Sequence, residues 1–240
     1  MPQATRHREK QCGSSLSAPN GLQAAKNMQL DLDKLRFMVD SVRFRVVPFI
    51  KRLYVSIKSE KGEEIGQMEV LVIYREKALQ ECESFYEALH DIEYEEFADH
   101  LFVSDELALD GYFQTAITSS TTHWPRHTFA KESPLVYIDM IHVEEAWRRK
   151  GVGTWAYGRV LVHPLCKDAN YLVARPTDGE IETVEEDWSV RFHRKFGFRR
   201  LGHTAFFAWA KDPSHPSRAV LPTMDTPYNA PAPMWTLDGF

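Results

Sequence analysis

From Val143 to Thr154 the chain reads Val-Glu-Glu-Ala-Trp-Arg-Arg-Lys-Gly-Val-Gly-Thr, and no other stretch restricts the fold as tightly. Ahead of it, Leu135 to Val143 is a run of β-branched and aromatic residues with the length of a strand. Behind it, the sequence predicts a helix from about Gly151 to Val162, ended by Pro164. A strand that stops at a short basic turn, followed by two glycines and a helix, brings successive backbone N–H groups to one point. The helix start adds partial positive charge there, and Arg148, Arg149 and Lys150 raise the potential further. These features together describe a pyrophosphate site.

The surrounding signals alternate between strand and helix. Arg52 to Ser59 and Ile65 to Tyr74 are β-rich runs around Lys61-Gly62, which predicts a hairpin. From Glu76 to Asp110, apolar residues recur at helical spacing (Phe85, Leu89, Ile92, then Phe97 and Leu101) among many carboxylates, the pattern of amphipathic helices with an acidic outer face. Thr118 to Pro134 reads as polar loop. Asn170 to Ala174 predicts a strand, Trp188 to Phe196 a short helix capped by Gly197, and Phe198 to Ala210 a returning strand. Strand–helix–strand–helix–strand over the last third gives an α/β fold.

The ends differ in composition from the middle. Residues 1–26 are rich in Gln, Ser and Ala without an apolar period and are expected to form a disordered leader. From Lys211 onward the prolines 213, 216, 222, 227, 231 and 233 exclude regular helix or a central strand, although Leu221, Tyr228 and Trp235 offer apolar contacts for docking on an edge. The expected domain spans residues 27–212, with a Pro-rich tail over residues 213–240.

A net charge of −5 argues against a general affinity for nucleic acid, whose phosphates require clustered Lys and Arg. No run approaches the ~20 apolar residues that cross a bilayer, so no membrane partner is expected. Cys12, Cys82 and Cys166 are far apart and form no CxxC pair, the usage of a reducing compartment. The cytoplasm is the expected location, with the nucleus also open.

Three readings of the glycine turn compete. The first is a solvated basic turn in front of a helix. The second is a dinucleotide turn, since Gly151-Val-Gly153-Thr-Trp-Ala156 fits GxGxxA. It fails because the seven residues Glu144 to Lys150 separate the glycines from their strand and Arg175, not an acid, follows the next strand. The third is the acyl-CoA turn of the GCN5-related N-acetyltransferase (GNAT) superfamily, which the segment resembles. That family has a strand ending in Val, a four-residue link, and Arg/Gln-x-x-Gly-x-Gly/Ala; Arg148-Arg-Lys-Gly151-Val-Gly153 matches it, with Trp147 just before. A second family mark, an aromatic-x-x-x-Gly-Phe helix end, resembles Phe192-His-Arg-Lys-Phe-Gly197-Phe198. The likeness covers about Leu135 to Ala210.

The resemblance implies a mixed, splayed central sheet flanked by helices, with acetyl-CoA as co-substrate and an amine, small or on a protein, as acceptor. The amine attacks the thioester directly in a ternary complex. The backbone of Ile141, His142 and Val143 would meet pantetheine and the developing oxyanion, where one preorganised donor is worth ~3–4 kcal/mol. Arg148, Arg149, Lys150, Gly151, Val152, Gly153 and Thr154 would hold the pyrophosphate. The family's usual proton donor to the leaving thiolate is a tyrosine; His193 stands at that position, and Glu186 near that of a common asparagine. Two roles are open for His193: a general acid, worth roughly 10²–10⁴ in rate, or packing. Asp139 shares a strand face with Ile141 and Val143 by the two-residue period, and is open as the base that takes the amine proton or as a structural carboxylate. His142 projects to the opposite face.

Other candidates carry less. His123 and His127 have Pro125 between them, which prevents an HxxxH helix, and no metal is expected. The acidic segment Glu180 to Asp187 suits either a cationic acceptor or solvent. Cys166 has no evident base and is not a nucleophile. The leading expectation is an amine N-acetyltransferase; the alternative is a module that holds acetyl-CoA or CoA without catalysis.

Overall fold

The computed structural model describes residues 30–44, 49–81, 97, 123–124, 134–176, 188–202 and 204–227. The chain divides into Met1–Asp31 and Leu32–Phe240, and every described strand and helix belongs to the second unit. The expected leader, most of the acidic segment after Glu81, most of Thr118 to Pro134, Glu180 to Asp187, and Tyr228 and Trp235 lie outside the described residues.

Seven strands form one mixed sheet in the order β1-β2-β3-β4-β5-β7-β6. They are β1 (Arg36–Phe44), β2 (Ile50–Lys58), β3 (Glu64–Ile73), β4 (Leu135–Val143), β5 (Tyr171–Ala174), β6 (Arg199–Arg200) and β7 (Phe207–Ala210). All neighbours are antiparallel except β4 and β5. Three helices are described: α1 (Arg75–Glu81), α2 (Val152–Val162) and α3 (Trp188–Phe196). The chain is therefore a mixed α/β fold, as the alternation of signals predicts.

The hairpin around Lys61-Gly62 joins β2 to β3. Ser59 N–H donates to Glu63 O at 2.8 Å and Gly62 N–H to Ser59 O at 2.9 Å, closing the turn. β1 extends this hairpin to a three-stranded meander and carries a register shift at Asp40. β4 has a comparable bulge, since Ile138 pairs with Val70 and Met140 with Glu69, which leaves Asp139 as the extra residue.

The sheet is covered on both faces. On one, the row Phe37–Ile57–Gly66–Val143 runs across four strands, and Trp155 of α2 meets Phe37 edge-on with centroids 6.3 Å apart. On the other, Phe97 packs against Tyr137 at 4.7 Å and Phe206 at 5.6 Å. Both faces are apolar at the β4–β5–β7 centre, where Val136, Ile138, Leu172, Val173, Phe207 and Ala208 are all buried.

The stretch Phe198 to Ala210 differs from the single strand expected. It forms a tight hairpin of β6 and β7, because the chain reverses at Leu201–Thr204, with Gly202 at φ 57° and Thr204 N–H donating to Leu201 O at 3.2 Å. β6 is an edge strand, and its outward backbone groups are met by side chains. Arg200 N–H donates to Asp225 Oδ1 at 3.0 Å, and Trp124 Nε1 donates to Arg200 O at 2.9 Å.

The Pro-rich stretch after Lys211 contributes to this edge through two short 3₁₀ turns, Pro216–Ala219 and Pro222–Met224. Among the described residues its contacts are mainly polar, with Val220 also buried. Leu221 stays 64% exposed, while the guanidinium of Arg199 donates to Val220 O and Arg200 Nε donates to Thr226 O at 2.9 Å. Buried guanidinium groups are tolerated here because backbone carbonyls and a carboxylate surround them.

Candidate functional site

β4 outruns its parallel neighbour. Its ladder with β5 covers only Leu135–Ile138 opposite Tyr171–Ala174, yet on the other side it stays bonded to β3 as far as Glu144 N–H, which donates to Ile65 O at 3.0 Å. In an antiparallel ladder, alternate residues turn their backbone groups toward the partner. Glu144, and by alternation His142, therefore face β3, while Ile141 and Val143 face the side that β5 no longer occupies. A strand end with two amides directed to the side where β5 has ended is the first element of the site.

The second element is the turn after β4. Glu145–Trp147 makes one 3₁₀ turn, and Arg148 Nε donates to Val143 O at 2.7 Å, which pins the turn to the strand end. Arg149 has φ 59° and Gly151 φ 86°, while Arg148 sits at −64°. With Arg148 extended (ψ 156°) and two positive-φ residues after it, the chain turns sharply into the start of α2, where the first helical N–H groups are free to meet an anion. Glycine makes that conformation cheap at 151, the residue before α2. Arg149 adopts it with a Cβ, a local strain of the kind that clusters at ligand sites. Arg148, Arg149 and Lys150 are exposed around this turn, and Lys150 Nζ lies 5.4 Å from the Trp147 ring centroid.

Helix α3 closes the site from behind. A Cβ placed on Gly153 would stand 3.0 Å from Phe192 Cζ and 3.8 Å from Ile141 Cδ1, so the absence of a side chain at 153 is what lets α2, α3 and β4 meet at one point. Phe192 also stacks on Tyr157, with centroids 5.5 Å apart and planes 20° from parallel. Leu32, from the start of the unit, lies against Gly151 in the same way, 3.3 Å from a Cβ built there.

The predicted site residues divide into two groups. Ile141, Val143 and Arg148 to Thr154 are brought together as one continuous strand end, turn and helix start. Asp139 lies at the bulge of β4, half-buried, and heads the alternation in which 139, 141 and 143 are the more covered residues and Met140 and His142 the exposed ones. His142 lies on the other face, its Nε2 3.5 Å from the Glu144 carboxylate.

His193 sits deeper. It is 2% exposed, and both ring nitrogens are engaged: Nδ1 is 2.7 Å from Ser189 O, and Nε2 is 2.7 Å from the Tyr157 hydroxyl. A carbonyl only accepts, so Nδ1 carries a hydrogen. In the neutral ring Nε2 is then a lone pair that takes the Tyr157 O–H. Burial pushes the Tyr157 hydroxyl above the usual tyrosine range, so it stays protonated as this donor. Phe192, Phe196 and Phe198 surround the pair. Sequence alone does not single out Tyr157, since an aromatic residue inside a helix reads as ordinary core; only its hydroxyl, with a histidine 36 positions away, sets it apart.

Cys166 is buried, and its thiol is pushed up to about 12 by that burial, which makes it a poor nucleophile. Among the described residues no group of three His, Cys, Asp or Glu is placed to hold a metal ion, and no helix is long and apolar enough to cross a membrane. Compared with known proteins, the chain matches no family model, no curated protein and no solved structure.

Proposed function

We propose that the chain is a GNAT-like N-acetyltransferase, in which the strand end, glycine turn and helix start hold acetyl-CoA for direct attack by an amine in a ternary complex. The observation that carries this reading is the end of the β4–β5 ladder at Ile138 and Ala174 while β4 continues to Val143 and enters the turn. A strand that outlasts its parallel neighbour and so frees backbone donors, followed by a glycine turn into a helix start, suits a ligand with an amide-bearing arm joined to a pyrophosphate.

The residues fit that ligand part by part. The N–H groups of Arg149 to Thr154 would take the pyrophosphate, with Arg148, Arg149 and Lys150 supplying charge. The amides of Ile141 and Val143, rather than that of His142, would meet the pantetheine arm and the oxyanion, because their direction is away from β3. Asp139, two residues before Ile141, would take the proton of the attacking amine. The acceptor is an amine of unassigned class, small or on a protein.

A second reading has its own support. His193 occupies the family's proton-donor position yet is buried with both nitrogens bonded, which favours packing over acid catalysis. That weighs toward the same fold holding acetyl-CoA or CoA without turnover. Calorimetric titration with acetyl-CoA, free CoA and NADPH tests the shared part of both readings. Micromolar binding of the CoA compounds but not of NADPH is expected, and absence of CoA binding would remove both. Amine-dependent release of CoA thiol across a panel of amines then separates the enzyme from the holding module.

A further inference from the structure

We propose that Asp225 is a positioning residue for the glycine turn, acting through helix α3; the link to cofactor affinity rests on reading that turn as the acetyl-CoA site. The Asp225 carboxylate is fully buried and holds two separate parts of the fold: Oδ2 accepts from Arg194 Nε at 2.8 Å, and Oδ1 accepts from the Arg200 backbone N–H at 3.0 Å. One side chain thus ties the body of α3 to the edge strand that comes after it.

The rest of the segment strengthens the same grip. Arg199 bridges from Val220 O to Arg194 O, the latter at 3.0 Å in the last turn of α3. Arg218 reaches Gly197, directly after α3, with Nη1 2.9 Å from a Cβ built on that glycine, and its guanidinium covers the Trp209 ring at 4.9 Å. Residues 215–226 therefore wrap the C-terminal end of α3 from outside, whereas Phe192, two residues before Arg194, faces the opposite task. Its ring is the surface on which Gly153 is seated, at a distance that leaves no slack.

The coupling follows from that close fit. Packed interiors transmit displacements rather than absorb them. A small rotation of α3 that relaxes the Arg194 end moves Phe192 against or away from the first turn of α2, where the N–H groups converge. Nothing in residues 213–227 needs to touch the ligand for this to operate. The proline-rich stretch becomes part of the site by holding the helix that shapes it.

The test uses the full chain with Asp225→Asn, which keeps an oxygen for Arg200 N–H but loses the charge facing Arg194, and Asp225→Ala, which loses both. Val72→Ala, a buried truncation at the far end of β3, is the control for general loss of stability. Two quantities are read: hydrogen exchange of the amides 149–154, and the Kd for acetyl-CoA at a temperature where every variant is folded. The expected result is faster exchange in that turn for both Asp225 variants but not for Val72→Ala. A rise in Kd should accompany it, of about tenfold for Asp225→Ala, the weight of one charge-assisted hydrogen bond, and smaller for Asp225→Asn. Unchanged exchange and Kd in both Asp225 variants overturn the proposal, as does an equal response in Val72→Ala. Faster exchange in a protein that binds no CoA upholds the positioning role and removes the acetyl-CoA reading instead.

Discussion

The Tyr157 hydroxyl lies 2.7 Å from His193 Nε2, joining the helix that starts at the glycine turn to the helix that backs it. Because Ser189 O fixes the hydrogen on Nδ1, the tyrosine is the donor to the neutral ring and the histidine is satisfied at both nitrogens. The pair is a polar link inside an aromatic cluster, and a half-satisfied link of that kind is worse than none.

Tyr157→Phe removes only the donor and leaves Nε2 buried without it. The expected cost is about 1–2 kcal/mol, a fall of roughly 3–6 °C in Tm for a chain of this size. Thermal unfolding followed by circular dichroism reads it. An unchanged Tm would mean that the hydrogen bond does not form in solution.

Gly151→Ala places a Cβ on a residue with φ 86° and within 3.3 Å of Leu32 Cδ1. The left-handed conformation alone costs about 1–2 kcal/mol for a residue with a side chain. Gly62→Ala has a similar φ of 82° but meets nothing within 4 Å, so it should show the conformational cost without the contact. On the proposed function, only Gly151→Ala weakens acetyl-CoA binding; an equal loss in both variants would detach the turn from the ligand.

At Gly153 the obstacle is steric. Gly153→Ala should be destabilising by about 1–3 kcal/mol through overpacking against Phe192. Combining it with Phe192→Leu should recover part of that loss, with a coupling energy of roughly 0.5–3 kcal/mol in a double-mutant cycle. Additive effects would show that the two residues do not touch.

Stability should fall as pH drops below the ordinary histidine range. His215 is 8% exposed, and its Nδ1 accepts the Ser217 N–H at 3.2 Å, capping the 3₁₀ turn at Pro216. Burial lowers its pKa, against the opposing charge of Asp212; His123 and His163 are lowered for the same first cause. A histidine with a folded-state pKa below 6.5 takes up its proton more readily when unfolded. Its contribution to stability is thus whole above about pH 6.5 and is lost as pH falls from there toward the folded value. Tm measured from pH 8 to pH 5 should decline, and His215→Asn, which retains an acceptor at the cap, should flatten part of the slope. A slope unaltered by that substitution would assign the effect to the other histidines.

The strands and helices bounded by clear turns, breakers or caps were legible in the sequence. β2, β3 and their turn, β4, α2, β5 and α3 all lie where alternation, breakers and caps put them. β1 was not, because Phe37 and Val39 alternate correctly until the bulge at Asp40 shifts the phase and the pattern dissolves into Ser41-Val42. The β6–β7 hairpin was hidden because β6 is only Arg199–Arg200, too short and too polar to show a strand period of its own. At the site, the residues contiguous in sequence could be listed in advance. Tyr157 with His193, and Arg194 with Asp225, could not, since nothing local marks a partner met only after the sheet has formed.

The side chains of Asp225 and Trp124 occupy the outward N–H and C=O of Arg200 on the edge strand β6. An open edge is a template on which a strand from a second molecule can pair, and proteins that leave one exposed tend to self-associate. Here the residues after Lys211 serve as an intramolecular gatekeeper. A chain cut short before Asp225 would carry into solution a strand ready to recruit its own copies, and its first symptom would be loss of solubility.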